Sequence, residues 1–346
     1  MPRGKRRGEG ACGSRVYRVC IVCVARDVAR SAATLCDAVA RANTLYTSAL
    51  NFIETFMTTQ DLTATLELIS AHGSFGGSQR FYRHRSSTLG LPARFSIFLP
   101  RGADAGAPVP ALIYLAGLTC NEETFPIKSG AQRFAAEHGL ALIAPDTSPR
   151  GAGAPGETDN WDLGVGAGFY LDATQPPWNA HYRMESYVVD ELVALVTQHF
   201  NIDAKRIGVF GHSMGGHGAL TLALRHPSVF RSVSAFAPVA APASCPWGEK
   251  AFGAYLGDDR AAWRQHDATA LIGELGVRWD GTLLVDQGLD DGFLASQLRI
   301  DAFEAACRSV GQPLELRRHA GYDHGYYFIS TFIGDHIAHH ARALKG

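Results

Sequence analysis

The sequence lacks two features that would narrow its function at once: a hydrophobic run long enough to span a membrane, and an excess of charge of one sign. Its formal net charge is −1, so it has no overall electrostatic attraction for nucleic acid. The seven cysteines are odd in number and scattered, which argues against a disulfide framework and favours a reducing cytoplasm. What is left is a globular protein of 346 residues, enough for one large α/β domain or one domain with an appendage.

The first 56 residues differ in composition from the rest. They hold nine Lys and Arg against four Asp and Glu, a charge of +5, so the other residues carry −6. They also contain Cys20 and Cys23, a Cys-x-x-Cys without a second pair at zinc spacing. Three interpretations stay open: a transit-like peptide, a small metal-binding appendage, or upstream sequence ahead of a native start at Met57. We favour the last, and predict that 1–56 is an extension, disordered or foreign to the native protein, before a folded domain at 57–346.

After residue 57, short apolar runs alternate with helical patterns. Runs with the length and composition of buried strands include 94–99, 111–115, 141–144, 207–210, 232–236, 283–285 and 314–317. Apolar residues recur at helical spacing over 184–199, 294–309 and 326–340. Uninterrupted apolar strands separated by helices predict an α/β fold, with a mostly parallel central sheet and helices on both faces. The first strands, bordered by Pro92 and Pro100, are closely spaced and could open the sheet as an antiparallel hairpin.

One pentapeptide carries most of the functional information. Gly211-His212-Ser213-Met214-Gly215 follows the apolar run 206–210 and precedes a small-residue helical pattern. Strand, sharp turn and helix form the context of a nucleophile elbow, whose glycines allow a turn too tight for a Cβ atom. The alternative is a glycine-rich turn whose serine caps the helix. We interpret Ser213 as a nucleophile.

A serine nucleophile in this context requires an acid and then a histidine later in the chain. The run 283–285 leads into an acidic loop in which Asp286, Asp290 and Asp291 are all candidate acids. His324 lies between the last strand and the last helix, which is the position expected for the base. It is the only one of fourteen histidines at that topological place.

Other histidines are assigned structural positions. The elbow is expected to turn the side chains of His212 and His217 away from the hydroxyl of Ser213. On the last helix, His336, His339 and His340 are expected to form a solvated face.

An oxyanion hole needs two backbone N–H donors. The residue after the nucleophile, Met214, supplies one, and the loop after the strand at 111–115 supplies the other, with Leu118 as the donor. The alternative for that loop is an ordinary strand-end turn. Cys120, two residues further on, is predicted to border the acyl pocket, although it could equally be a small buried hydrophobic residue.

Several longer strings, taken together, resemble the S-formylglutathione hydrolase family, also called esterase D. They are 117–120 (GLTC), 144–151 (APDTSPRG), 166–170 (GAGFY), 211–220 (GHSMGGHGAL), 234–238 (SAFAP), 245–248 (CPWG) and 321–324 (GYDH). Residues 1–56 have no counterpart in the family. The resemblance implies an α/β-hydrolase that cleaves S-formylglutathione to glutathione and formate in formaldehyde detoxification, with side activity on small esters and no metal or organic cofactor.

The resemblance also implies site roles. The family's nucleophile and base fall on Ser213 and His324, and its acid precedes an x-Phe-Leu string, which here selects Asp291 over Asp290. Because glutathione has two carboxylates, basic side chains are expected at the mouth of the site, and Lys128 and Lys250 are the candidates. One departure is Glu249, which stands where a basic residue is expected.

Two other functions remain open from the sequence. One is a general short-chain carboxylesterase, and the other is a catalytically inactive hydrolase fold that serves as a binding module. The predicted partner is the small-molecule substrate, with a homodimer considered, and neither nucleic acid nor a membrane is expected. The predicted location is the cytoplasm.

Overall fold

The computed structural model describes residues 66–277 and 279–345. The predicted boundary between residues 56 and 57 lies outside them, as does the extension 1–56. The described part is built on a nine-stranded sheet with the order β1-β2-β3-β5-β4-β6-β7-β8-β9. The strands are β1 Glu67–Ser74, β2 Gly77–Arg85, β3 Pro92–Leu99, β4 Val109–Leu115, β5 Ala141–Pro145, β6 Ile202–His212, β7 Ser232–Phe236, β8 Leu283–Gly288 and β9 Leu314–His319.

Helices connect most of these strands. They are α1 Thr124–Lys128, α2 Ala131–His138, α3 Met184–Ser186, α4 Val193–His199, α5 Met214–Arg225, α6 Pro246–Leu256, α7 Arg260–Arg264, α8 Ala268–Leu275, α9 Ile300–Val310 and α10 Tyr326–Leu344. A π-helical turn, Tyr187–Leu192, joins α3 to α4, so the helical pattern predicted over 184–199 forms one continuous segment. Within the described ranges, no helix is long and apolar enough to cross a membrane.

The sheet is mostly parallel, as predicted. Strands β4 to β9 pair in parallel. Every residue of β5, β7 and β8 is buried, which is the pattern of strands covered on both faces. Helices α2 and α10 pack against each other, while α5 packs on α8 and α8 on α9, so two separate groups of helices cover the sheet. This arrangement confirms the α/β prediction.

The first three strands form an antiparallel meander at one edge. β1 pairs with β2, β2 with β3, and β3 joins the parallel part through β5. Pro92 opens β3 and Pro100 follows it, so the predicted antiparallel start is confirmed. The sequence did not distinguish β1 as a strand, because its side chains are mostly exposed and it has no buried apolar run.

The histidines of α10 do not form a solvated face, so that prediction is wrong. His336 and His340 are fully buried and His339 is partly buried. The ring of His340 lies between two serines of β7, with Nδ1 2.6 Å from Ser232 Oγ and Nε2 2.8 Å from Ser234 Oγ. The serine hydroxyls provide the hydrogen-bond partners that buried imidazoles require.

Asp286, one of the three candidate acids, also belongs to this core. Its side chain is fully buried, and Arg317 donates two hydrogen bonds of 2.6 Å to its two oxygens. His336 Nε2 lies 3.3 Å from Oδ2. Although burial alone would raise the pKa of Asp286, His336 and Arg317 hold it well below its usual value. Asp286 is therefore an ionised structural residue.

We predict that Asp286→Asn destabilises the fold by about 3 kcal/mol at pH 7, because it leaves Arg317 without its buried counter-charge. Since the folded-state pKa is depressed, this stabilisation is complete above the unfolded pKa near ~4 and is lost as the pH falls towards the folded value. Urea denaturation at pH 7 and pH 3 measures both effects.

The matched control is Asp335→Asn. Asp335 binds the same guanidinium at 2.8 Å, but its side chain is 58% exposed. Exposed ion pairs contribute about 0–1 kcal/mol, so this variant should change the free energy of unfolding little. Equal losses in the two variants would contradict the assignment of Asp286 as the buried anchor.

Candidate functional site

The turn between β6 and α5 holds Ser213 in a strained backbone conformation. Its φ of 59° and ψ of −119° lie where side chains other than glycine rarely occur. A Cβ at Gly215 would lie 1.9 Å from the Leu115 carbonyl oxygen, and one at Gly211 would lie 2.2 Å from the Gly215 carbonyl oxygen. Only glycine fits at these two positions, so the elbow predicted from the pentapeptide is present.

Ser213, His324 and Asp291 form a continuous series of hydrogen bonds. His324 Nε2 lies 2.8 Å from Ser213 Oγ, and His324 Nδ1 lies 2.6 Å from Asp291 Oδ2. The Asp291 side chain is fully buried, whereas the His324 side chain is 17% exposed. The three elements that supply them are the elbow, the loop after β8 and the loop after β9, in the order that the sequence analysis required.

The loop after β8 distinguishes Asp291 from its neighbour. The Phe293 N–H donates to Asp291 Oδ1 at 2.8 Å, and Gln287 Nε2 donates to Oδ2 at 3.3 Å. Asp290 is exposed, and its side chain accepts only a long hydrogen bond of 3.4 Å from the Gly321 N–H. Gln287 is fully buried and was not singled out from the sequence, since a glutamine in a strand carries no catalytic signal of its own.

The two predicted oxyanion donors are adjacent in the chain to residues at the elbow: Met214 directly follows Ser213, and Leu118 directly follows Gly117. A Cβ at Gly117 would approach Ser213 Cβ to 3.2 Å, so the loop after β4 packs directly on the elbow. Within residues 66–277 and 279–345, neither the Leu118 nor the Met214 N–H has a hydrogen-bond acceptor. Thr119 follows in the left-handed region at φ 68° and donates its N–H to the Gly166 carbonyl at 2.9 Å, which fixes the loop.

Cys120 lies just beyond that turn and is partly buried. Burial raises the pKa of its thiol, with Thr124 and Lys128 acting in the opposite direction. Its carbonyl accepts hydrogen bonds from Thr147 Oγ1 at 2.6 Å and Arg150 Nη2 at 3.0 Å. The residue therefore anchors the loop through its backbone and keeps an un-ionised side chain beside the donor turn.

His212 does not turn fully away from the site. Its ring centroid lies 4.4 Å from that of His324. Burial, and then the nearby His324, lower the pKa of His212 well below its usual value. A neutral ring in this position packs against His324 without opposing a positive charge on it.

The two candidate cations occupy different surroundings. Lys250 Nζ is bonded to Asp162 Oδ1 at 2.5 Å and Asn160 Oδ1 at 3.1 Å, so its charge is already partnered. Lys128 Nζ lies 5.6 Å from the centre of the Tyr326 ring. Glu249, where a basic residue was expected, lies 3.3 Å from Arg260 Nη1.

Aromatic side chains form one wall beside His324. The Phe293 ring lies 5.1 Å from His324 and 4.7 Å from Trp247, and Trp161 meets Trp247 edge-on at 5.7 Å. The salt bridge between Lys250 and Asp162 holds the Trp161 segment against α6. Trp161 is 55% exposed on this wall.

In the part of the chain that the structure describes, no group of three or more His, Cys, Asp or Glu side chains is arranged to hold a metal ion.

Comparisons with known proteins agree on one family. A family model described as "Putative esterase" matches residues 86–339. S-formylglutathione hydrolase from Rattus norvegicus is 53% identical over 282 residues, which is 81% of this chain and 99% of the relative. The Arabidopsis thaliana enzyme of the same name is 52% identical over 281 residues, 81% of this chain and 98% of the relative.

A solved structure gives the same result. The S-formylglutathione hydrolase from Agrobacterium tumefaciens superposes with a TM-score of 0.78 at 49% identity, covering 80% of this chain and 99% of that one. The sequence similarity and the fold therefore extend over the same large part of the chain. The chain belongs to the S-formylglutathione hydrolase family of esterases.

Proposed function

We propose that this protein is a serine thioesterase that hydrolyses S-formylglutathione to glutathione and formate. The observation that carries the proposal is the hydrogen-bonded series Ser213, His324 and Asp291, with distances of 2.8 and 2.6 Å. It lies in a chain about half identical to relatives that carry the name of this activity. The assay that tests it is the release of glutathione from S-formylglutathione by the purified protein.

In the proposed acylation step, His324 Nε2 accepts the proton of the Ser213 hydroxyl while the oxygen attacks the formyl carbon. Asp291 accepts the Nδ1–H of His324, which fixes the tautomer and stabilises the imidazolium. The Leu118 and Met214 N–H groups, which have no acceptor among the described residues, would bind the oxyanion of the tetrahedral intermediate. The C–S bond then breaks, and His324 returns the proton so that glutathione leaves as a thiol.

Deacylation repeats these steps with water. His324 removes a proton from the water, whose oxygen attacks the formyl ester of Ser213. When the second tetrahedral intermediate collapses, His324 returns this proton to Ser213 Oγ, and formic acid leaves and loses its own proton to solvent as formate. The formyl group carries only hydrogen on its carbonyl carbon, so the acyl pocket needs little volume. The partly buried Cys120 beside the donor turn is consistent with a small pocket.

The cytoplasm is the compartment we propose for this reaction. Within the described residues, Cys120, Cys245 and Cys307 are free thiols, which fits a reducing environment. The homodimer considered from the sequence stays a prediction, and sedimentation analysis of the purified protein would test it.

Ser213→Ala should lower kcat for S-formylglutathione by about 10⁴- to 10⁶-fold, the range for loss of a triad residue. Although Ser213 is buried, the substitution removes a single hydroxyl whose partner is the partly exposed His324, so the melting temperature should change little. Ser309→Ala, on the exposed side of α9, is the control. A fluorophosphonate probe should label the wild type and not Ser213→Ala. Retention of more than a tenth of kcat, or absence of labelling in the wild type, would contradict the nucleophile assignment.

Asp291→Asn and Asp290→Asn should differ sharply. Asp291 fixes the His324 tautomer, and its amide form is expected to lower kcat about 10⁴-fold. Asp290 is exposed and does not contact His324, so its amide form should retain nearly full activity. Steady-state kinetics on both variants measures the difference, and a larger loss in Asp290→Asn would show that the assignment is shifted by one residue.

Alkylation of Cys120 with a maleimide should block turnover, because the adduct adds bulk beside the Leu118 donor. Cys120→Ser should remain largely active and become insensitive to the reagent. Kinetics before and after labelling, with the site of modification mapped by mass spectrometry, tests this. Full activity of a protein that is completely labelled at Cys120 would place the thiol outside the pocket.

A further inference from the structure

A cavity of about 370 Å³ opens at the same edge of the sheet as Ser213. Its lining combines basic and acidic side chains: Arg83, Arg94, Arg150, Glu122 and Asp146. None of the three residues of the Ser213 series lines it. Glu122 continues the loop that follows β4 and carries the proposed donor Leu118, residues 116–122, which we call the oxyanion loop.

Most charges around this cavity are already paired. Arg83 forms a bidentate ion pair with Glu67, with distances of 2.7 to 3.0 Å. Arg150 binds both oxygens of Asp146, at 2.9 and 2.5 Å. These two pairs satisfy the charges of their members locally.

Glu122 and Arg94 are the exception. The carboxylate of Glu122 is 4% exposed, and its nearest cation, Arg94 Nη1, lies 3.7 Å away. Among the described residues, no hydrogen bond of 3.5 Å or less joins either side chain to another residue, and the carboxylate of Glu122 is stabilised by its own backbone N–H. A buried carboxylate with so few partners is weakly satisfied, so this loose pair has the polar capacity to bind a ligand that contacts both of its members.

The pairing of β2 with β3 places a second positive charge beside Arg94. Arg94 on β3 lies directly opposite Arg83 on β2, an arrangement of like charges that is unfavourable by itself. Glu67 neutralises Arg83, but the Arg94 side chain, which is 49% exposed, has only the distant Glu122. A ligand carboxylate on Arg94 would relieve the repulsion.

The separation from Ser213 fits a tripeptide. The order β3-β5-β4-β6 places the cavity, above β3 and β5, two to three strand spacings from the elbow on β6, or about 10–14 Å. Glu122 lies four positions after Leu118, so their Cα atoms lie within about 14 Å. The reacting sulfur is on the middle residue of glutathione, and nine bonds lead from the formyl carbon to the γ-glutamyl α-nitrogen. Three residues of main chain contain the same number of bonds and span about 10 Å when extended.

We propose that this cavity binds the γ-glutamyl end of the glutathione moiety, with its α-ammonium on Glu122 and its α-carboxylate on Arg94. The proposal rests on the proposed function. An α-amino acid group carries both charges on one carbon, which suits a carboxylate and a guanidinium held 3.7 Å apart. Neither of the sequence-derived candidates, Lys128 and Lys250, is needed for this contact.

Burial, and then the charge of Asp146, raise the pKa of Glu122. A bound ammonium group acts in the opposite direction and stabilises the ionised carboxylate. The free enzyme therefore holds a carboxylate that gains more from an ammonium ligand than a solvated one would.

The test measures kcat/KM for three substrates: S-formylglutathione, its N-acetyl derivative, which lacks the ammonium, and p-nitrophenyl acetate. For Glu122→Gln, the ratio of S-formylglutathione to p-nitrophenyl acetate should fall about tenfold, the effect of losing one charge-assisted hydrogen bond. That loss should disappear when the N-acetyl substrate replaces S-formylglutathione.

Arg94→Gln should lower the ratio for both thioesters, since both retain the carboxylate. Arg133→Gln, an exposed arginine paired with Glu137 on α2, is the control and should leave all three substrates unaffected.

The outcomes separate this proposal from the function on which it rests. If the wild type does not hydrolyse S-formylglutathione, the proposed function fails and this inference with it. If the wild type hydrolyses it but Glu122→Gln affects all three substrates equally, Glu122 only supports the oxyanion loop and the γ-glutamyl site is overturned. An unchanged ratio in both variants overturns it as well.

Discussion

The contact between the elbow and the end of β4 is the constraint on which the site depends. A side chain at Gly215 would collide with the Leu115 carbonyl at 1.9 Å, and one at Gly117 would press on Ser213 at 3.2 Å. This closeness places the nucleophile and both proposed oxyanion donors, which come from distant parts of the sequence, in one small volume. The strained conformation of Ser213 costs about 1–3 kcal/mol. Its N–H donates to the Phe236 carbonyl at 3.0 Å and its carbonyl accepts from the His217 N–H at 2.9 Å, so β7 and α5 hold it in place.

Two aspartates that are five residues apart show how environment assigns a role. Asp286 is the last-but-two residue of β8 and faces Arg317 and His336 in the core, where it is permanently paired. Asp291 lies beyond the strand end, equally buried, but its partner His324 is partly exposed. The carboxylate of Asp286 is bonded to the guanidinium of Arg317, so its role is to stabilise the fold. The carboxylate of Asp291 is hydrogen-bonded to the imidazole of His324, the proposed general base, which is what its proposed catalytic role requires.

The sequence predicted the features that local chemistry or chain order determines. The elbow could be found because the glycine spacing, the strand and the helix coincide around Ser213. His324 could be found because it alone lies in the loop between the last strand and the last helix. Choosing Asp291 over Asp290 required the family resemblance, since a loop of adjacent aspartates carries no register of its own. The burial of His340 could not be foreseen, because it depends on serines of β7 that lie more than 100 residues away. The same limitation hid the pairing of Lys250 with Asp162, which removes its charge from the substrate.

The oxyanion loop links the reaction centre to the cavity around Glu122. Its carbonyl groups at Cys120 and Glu122 accept hydrogen bonds from Arg150 at 3.0 Å and from Ser96 at 2.9 Å, so the cavity wall fixes the loop even without substrate. A small ester can then bind at a preformed reaction centre without contacting the cavity. A glutathione thioester meets the same centre and gains additional contacts at its far end, and binding energy far from the reacting bond can orient that bond. One loop would therefore account both for the expected side activity on small esters and for the proposed preference for the larger thioester.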